Sequence, residues 1–328
     1  METELVYSLR GQKLQVWETL LQAAGLQPDD AWESTALVWD EGQLIASGSR
    51  QGNLLKCIAV DDRRQGEGLT ATLLTQLRQD AFSCGHSHLF LYTKPKNRTM
   101  FSSLFFYPIA ETGDVLLMEN KQGGIQSFLD TLQPAPGAVV GAAVMNCNPF
   151  TKGHRYLIET AAKECDRLYV FVLSEDKSEF PAKDRLEMVK LGTADLPNVT
   201  VLTTGPYLIS SATFPTYFLK EREKAETIHC LLDIEIFCGY YVPKFGISRR
   251  YVGTEPLSQM TDQYNTALKQ QLPSKGIELR EIPRLEQGGT PVSASAVRRH
   301  LQEKNFEILE QLLPTTTYEY LKTHGYFE

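Results

Sequence analysis

The segment Asn148-Pro149-Phe150-Thr151-Lys152-Gly153-His154 brings a proline, a hydroxyl, a glycine and an imidazole into one short stretch, and these residue types at this spacing suit a nucleoside triphosphate. Pro149 stiffens the turn. Gly153 lets the main chain approach phosphate oxygens with no Cβ in the way. His154 falls in the first turn of an expected helix, where free N–H groups and the positive dipole end already favour an anion. Thr151 adds a hydroxyl donor in the same loop. A plainer assignment also exists, with Thr151 a helix N-cap and His154 a polar surface residue. An apolar run before the segment and a helical pattern after it favour the triphosphate.

The elements around it must place that loop beyond the end of a strand. Ala138 to Met145 reads as a strand, Arg155 to Cys165 as a helix, Leu168 to Leu173 as a strand and Asp184 to Leu191 as a helix. Val199 to Leu202, Arg250 to Val252 and Ile277 to Ile282 add strands, and Thr216 to Glu226, Asp262 to Gln271 and Ser295 to Glu303 add helices. Nearly continuous apolar strands alternating with helices predict a Rossmann-like parallel sheet covered on both faces, with ligands beyond the strands' carboxyl ends. Asp233 to Phe237 reads as a half-exposed strand with alternating acids, with a catalytic role as the other assignment. Ser210, Ser211 and Thr213, ahead of Pro215, fit either a helix cap or a substrate contact.

The prolines and glycine of Gln133-Pro134-Ala135-Pro136-Gly137 divide the chain into residues 1–133, a linker 134–138 and residues 139–328. In the first part, Thr35 to Trp39 and Leu44 to Gly48 form a hairpin about Asp40-Glu41-Gly42, followed by a strand at Leu54 to Val60. Leu69, Leu73, Leu74 and Leu77 mark one face of a helix over 69–81, and Leu89 to Thr93 is the next strand. That order predicts a small α+β domain, so the whole is an α/β protein of two domains.

The 328 residues are 42% hydrophobic and 22% charged, an ordinary globular composition. With 33 Lys and Arg against 40 Asp and Glu, the net charge of −7 offers no broad attraction for nucleic acid. No run approaches the roughly 18 apolar residues a membrane helix needs, and the start METELVYSLRGQ lacks a signal-peptide core. A cytoplasmic protein with no membrane partner is expected. The six cysteines, Cys57, Cys84, Cys147, Cys165, Cys230 and Cys238, show no zinc-site spacing and read mostly as small buried hydrophobes, with Cys147 set apart only by lying inside the main motif.

Met145 to Glu159 resembles the first motif of the adenylyltransferases that make coenzyme A and NAD, and Ser293-Ala294-Ser295-Ala296-Val297-Arg298 resembles their second. Phe180-Pro181-Ala182-Lys183-Asp184-Arg185 looks like the segment that leads into a helix with a functional basic residue. Three further blocks, Ile209 to Lys220, Tyr251-Val252-Gly253-Thr254-Glu255-Pro256 and Glu281-Ile282-Pro283-Arg284, are similar to the citrate (pro-3S)-lyase ligase family. Val292 stands where that pattern often has Ile, a neutral packing change.

The resemblance implies an acid–thiol ligase. Acetate attacks the α-phosphate of ATP, and the acetyl group of the resulting adenylate passes to the thiol of a CoA-like group on the acyl-carrier subunit of citrate lyase. It further implies Thr151, His154, Lys183 and Arg185 as catalytic residues, and Asn148, Phe150, Gly153, Gly253, Thr254, Glu255, Ser293, Ser295 and Arg298 as ATP-binding residues. Ser210, Ser211 and Thr213 belong on that account to the substrate region. Mg2+ is expected on the phosphates, with no protein ligand assigned. Two rival readings remain: an adenylyltransferase acting on phosphopantetheine or a mononucleotide, and a non-catalytic sensor of CoA or ATP.

In the first domain, Arg63-Arg64-Gln65-Gly66-Glu67-Gly68 matches the pyrophosphate loop of the GCN5-related N-acetyltransferases, and Asn97 to Tyr107 is similar to a later helix of that family. Main-chain N–H groups of such a loop can cradle a pyrophosphate at a helix N-terminus. Arg63, Arg64, Gly66 and Gly68 are therefore expected to grip the CoA-like arm.

Overall fold

Glu41 and Gly42 turn the chain with φ of 48° and 77°, the paired positive values that let a two-residue turn follow strand twist. This joins β2 (Ser34–Asp40) to β3 (Gln43–Gln51), between β1 (Glu2–Val6) with α1 (Gly11–Ala23) before them and β4 (Leu54–Val60) after. Then come α2 (Leu69–Ser83), β5 (Phe90–Thr93), α3 (Arg98–Ser103), β6 (Tyr107–Glu111) and β7 (Leu116–Glu119). The seven strands form one sheet in the order β1-β2-β3-β4-β5-β7-β6. Every neighbouring pair is antiparallel except β4–β5, which pair in parallel only at Leu54–Phe90 and Leu55–Leu91. The predicted face of α2, Leu69, Leu73, Leu74 and Leu77 with Ala81, packs with Ala36, Val38, Leu55 and Leu91 of the sheet, each leucine contributing roughly 1.5–3 kcal/mol by burial.

The structure is a computed structural model that describes residues 1–29, 31–176, 178–209, 214–219, 225–254 and 259–327, apart from the side chains of 259–262. After α4 (Gly124–Asp130), the chain runs through β8 (Val140–Met145), α5 (Lys152–Ala162), β9 (Arg167–Val172), α6 (Ala182–Thr193), β10 (Val199–Thr203), α7 (Ala225–Ile236) and α8 (Val242–Phe245). It ends with β11 (Arg249–Gly253), α9 (Gln259–Gln271), β12 (Glu278–Ile282), α10 (Ala294–Gln302), α11 (Phe306–Leu312) and α12 (Thr315–Thr323). The sheet is parallel throughout, in the order β10-β9-β8-β11-β12. From β8 the chain builds outward through β9 and β10, then returns to lay β11 on the other side of β8. The switch point of this α/β sheet, where its ligand crevice should open, therefore lies between the ends of β8 and β11.

Contacts divide the chain into one unit of residues 1–124 with 214–228 and another of 125–213 with 229–328. The division falls ahead of the proline-rich segment, and residues 214–228 pack with the first unit although the sequence reading set them in the second part. Hydrogen bonding explains this: the Tyr217 hydroxyl donates to the Tyr92 carbonyl at 2.6 Å, and the Gln27 N–H donates to the Tyr217 carbonyl at 2.7 Å. Of the helix expected over Thr216 to Glu226, residues 216–219 are not helical, 220–224 lie outside the described residues, and α7 runs from Ala225. The strand expected at Asp233 to Phe237 is instead the end of α7 and a wider π-helical turn over Phe237–Tyr241. Leu232, Asp233, Ile234 and Ile236 are all buried, so the alternation of acid and isoleucine is not an alternation of faces.

A buried ion pair fastens α2 to the first sheet. Asp80 accepts from Arg50 Nε and Ser34 Oγ, both at 2.6 Å, and from the Tyr7 hydroxyl at 3.2 Å. Arg50 is 1% exposed and also donates to Glu33 at 2.6 Å. Removing the carboxylate strands most of that charge, so Asp80→Ala is expected to lower stability by about 3 kcal/mol in urea unfolding. A loss under about 1 kcal/mol would mean that Glu33 suffices.

Candidate active site

The α5 end of the loop from β8 is held by a reciprocal pair of hydrogen bonds. Thr151 is the N-cap of α5 and accepts from the His154 N–H at 3.3 Å, while His154 Nδ1 accepts from the Thr151 N–H at 3.1 Å. Because a main-chain N–H can only donate, Nδ1 is the acceptor, and the neutral ring carries its proton on Nε2. Burial, reinforced by the nearby positive charge of Arg284, pushes the His154 pKa down to about 4. At neutral pH the imidazole is thus an uncharged donor through Nε2–H. Thr151 is 1% exposed and its hydroxyl lies 3.0 Å from His154 Nδ1. The cap assignment therefore describes it, and it acts by orienting His154.

Several expected site residues build the loop from beneath. Phe150 is fully buried, 6.0 Å from the His154 ring in a stacked arrangement. Its ring lies against Gly192 of α6, where a Cβ would meet Phe150 Cε1 at 2.3 Å. Gly153 has another reason to be small than the one the sequence suggested: a Cβ there would stand 3.1 Å from the Val292 carbonyl oxygen, which brings the start of α5 against the chain entering α10. Arg185, expected to be catalytic, is fully buried. Its Nε donates to the Phe180 carbonyl at 3.0 Å, its Nη1 to the Asn146 carbonyl and Oδ1 at 2.8 and 2.6 Å, and its Nη2 to the Glu175 carbonyl. It positions the loops. Lys183, at the start of α6, is exposed and has no ion-pair partner among the described residues.

The second serine motif closes on the first. Ser293 caps α10 by accepting from the Ala296 N–H at 3.1 Å. Arg298 then reaches across: Nη1 donates to the Asn148 carbonyl at 2.6 Å, Nη2 to Ser295 Oγ at 3.1 Å, and Nε lies 3.5 Å from Glu179. Asn148 Oδ1 accepts from the Phe180 N–H at 3.1 Å. On the β11 side, the Thr254 N–H donates to the Ile282 carbonyl at 3.0 Å, and Arg284 Nε donates to the Thr254 carbonyl at 2.9 Å. Gly253 ends β11, and its carbonyl accepts from Asn265 at 2.9 Å. Ser210, Ser211, Thr213 and Glu255 lie outside the described residues.

Sequence reasoning missed Arg284 and Asn146 as site-building residues. Arg284 was present in the last block of the resemblance, and only its charge acting on His154 singles it out. Cys147 has φ of +52° and is 1% exposed, and burial pushes its thiol pKa up, which keeps it inert. Among the described residues no group of three or more His, Cys, Asp or Glu converges to hold a metal, and no helix is long and apolar enough to cross a membrane.

In the first unit, Gly66 and Gly68 adopt φ of 89° and 77°, a left-handed turn that favours glycine. Gly68 caps α2 without a side-chain bond, so the helix's first N–H groups are open. The two arginines of the loop are engaged: Arg63 with Asp61 at 2.6 Å, and Arg64 with Asp40 and Glu67 at 2.8 and 2.7 Å. A cavity of about 570 Å³ opens beside this loop.

Comparison with known proteins assigns the family. The profile described as citrate lyase ligase C-terminal domain matches residues 140–321. A Klebsiella pneumoniae protein named citrate (pro-3S)-lyase ligase is 43% identical over 286 residues, covering 85% of this chain and 84% of its own. The chain belongs to the citrate lyase ligase family. A Haemophilus influenzae protein of the same name is 36% identical, with 98% of each chain covered. Among solved structures, Escherichia coli ElaA aligns with 37% of this chain and 99% of its own, at 15% identity and a TM-score of 0.33.

The direction of the His154 shift sets a pH dependence. The ring's folded pKa of about 4 lies below its ordinary 6.5, so the unfolded chain takes up that proton first. The resulting stability is complete above about pH 6.5 and is lost as pH falls towards 4. Urea unfolding of the parent and of His154→Gln should therefore converge as pH falls from 7 to 4. A His154 ring signal titrating near 6.5 in NMR would overturn the assignment of a neutral donor.

Proposed function

We propose that this chain activates citrate lyase by joining acetate to the thiol of the CoA-like group on its acyl-carrier subunit, with ATP as the energy source. A carboxylate oxygen of acetate attacks the α-phosphorus, the bond to the bridging oxygen breaks, and pyrophosphate leaves. The thiol sulfur then attacks the acetyl carbon of the adenylate, AMP leaves with the bonding pair, and the thiol proton passes to solvent. Membership of the ligase family supports this reaction.

The observation that carries the site is the Thr151–His154 reciprocal cap at the switch point of the parallel sheet. It presents a neutral Nε2–H and the open N-terminus of α5 to an anion at no electrostatic reorganisation cost. Arg298 and Arg284 supply positive charge on either side, where it offsets charge developing on the leaving pyrophosphate. Lys183, exposed at the start of α6 and without an ion-pair partner among the described residues, can reach phosphate. Ser295 assists by holding Arg298, and Gly253 and Thr254 form the β11 edge of the site. Mg2+ would offset charge on the phosphates. In the first unit the loop 63–68 receives the arm's phosphate through the open N–H groups of α2, with Arg63 and Arg64 fixing the loop's shape.

Exchange of labelled pyrophosphate into ATP tests the reading. Exchange with acetate alone is expected, and His154→Ala should lower it by about 10²–10³-fold without unfolding the protein. Exchange that required a phosphorylated acceptor would instead favour an adenylyltransferase, and none at all a sensor. Near-parent exchange by His154→Ala would remove His154 from the site.

A further inference from the structure

The cavity of the first unit has a wall that its own sheet does not provide. Beyond Leu55 and Leu91 the strands β4 and β5 part, and Ile58, Ala59 and Val60 face Leu91, Tyr92 and Thr93 across the cavity. The α2 loop, from Arg64 to Gly68, forms one polar end, with Lys96 and Asn97 also at the lining. Lys96 is exposed and has no ion-pair partner among the described residues. Ile58, Leu91, Met100, Phe101 and Leu104 contribute apolar lining. An anionic end joined to a slender, largely uncharged stem matches that lining, and a phosphopantetheine-type arm has this form.

Tyr217 and Phe218 close the remaining side. They are 4% and 3% exposed, and three edge-on contacts fix them: Tyr217 to Phe218 at 5.2 Å, Phe214 to Phe218 at 6.2 Å, and Phe214 to Tyr92 at 5.6 Å. The Tyr217 hydroxyl, bonded to the Tyr92 carbonyl at 2.6 Å, satisfies a main-chain acceptor where β5 has left β4. This is more than a covering for apolar surface, since both aromatic rings line open volume. Residues 1–124 alone would lack this wall, because the chain supplies it only after completing β10 of the other unit.

We propose that Tyr217 and Phe218 determine specificity for the acyl acceptor by setting the width of the cavity that holds its thiol-bearing arm. This rests on the ligase reading. The full-length protein should be assayed in two ways: acetate-dependent pyrophosphate exchange, which needs no acceptor, and acetyl transfer to the thiol form of the citrate lyase carrier subunit. Phe218→Leu and Tyr217→Phe are expected to raise the KM for the carrier several-fold, with exchange and kcat near parent values. Met100→Trp, which adds bulk from a partly exposed lining position, should block transfer while sparing exchange. Loss of exchange in the parent would defeat the ligase reading itself. With exchange intact, parent-like carrier KM in the Tyr217 and Phe218 variants, or transfer unaffected by Met100→Trp, would overturn the assignment of this wall. Should Phe218→Leu prove unstable, Tyr217→Phe, which removes one oxygen atom, and Met100→Trp still decide it.

Discussion

The buried guanidinium of Arg185 is the constraint on which the second unit's site depends. Two loops, one leaving β8 and one leaving β9, bring main-chain carbonyls into a region without strand partners, and such groups must be satisfied if they are to stay buried. Arg185 answers carbonyls of Asn146, Phe180 and Glu175 together with the Asn146 side chain. A lysine ammonium could carry the charge, but it could not span these acceptors with a planar fork. Burying a cation is expensive, and the convergent carbonyl dipoles, with the nearby charges of Glu175 and Asp176, help make it tolerable here. Once those loops are fixed, Asn148 is held by Phe180 from one side and presents its carbonyl to Arg298 on the other.

The two motifs consequently form one object rather than two ligand-binding strings. Gly153 admits the Val292 carbonyl, Ser293 starts α10 immediately afterwards, and Arg298 returns from that helix to the loop of α5. Much of the spacing within each motif serves this closure. On the proposed reading, the groups that meet the ligand are fewer than the motif: a neutral imidazole N–H, the first N–H groups of α5 and the charge of Arg298. Neutrality of His154 follows from the same packing, because a ring caught between its own N-cap and Phe150 and facing Arg284 is costly to protonate.

The parallel sheet was legible because β8 and β9 are largely apolar runs and helical stretches alternate with the strands; β8, β9, β10, β11 and β12 all lie where the pattern put them. Local pattern failed where environment decides. At Asp233 a nearly all-round buried helix carries no periodic signal, so acid–isoleucine alternation mimicked a strand. Among site residues, Asn148, His154, Ser293, Ser295 and Arg298 come together as expected. Thr151, Phe150, Gly153 and Arg185 have structural partners that the sequence does not show, since residue type and spacing do not distinguish touching a ligand from shaping the loop that does. Arg284 was legible only as part of a familiar block, because its effect on His154 arises through space.

The first unit shows the same limit from the opposite side. Its glycine loop was recognised from Gly66 and Gly68, whose positive φ values are a local demand that sequence records well. The arginines beside them suggested direct phosphate contacts, yet acids at positions 40, 61 and 67 already balance them. An arginine held by carboxylates in water-accessible surroundings contributes little further attraction for an anion, so on the proposed reading the larger share falls to the helix's open N–H groups. Electrostatics at this loop thus favours a ligand held by shape and main-chain dipoles over one captured by net charge. A carrier protein's tethered arm, delivered at high local concentration by its own domain, needs no strong electrostatic capture.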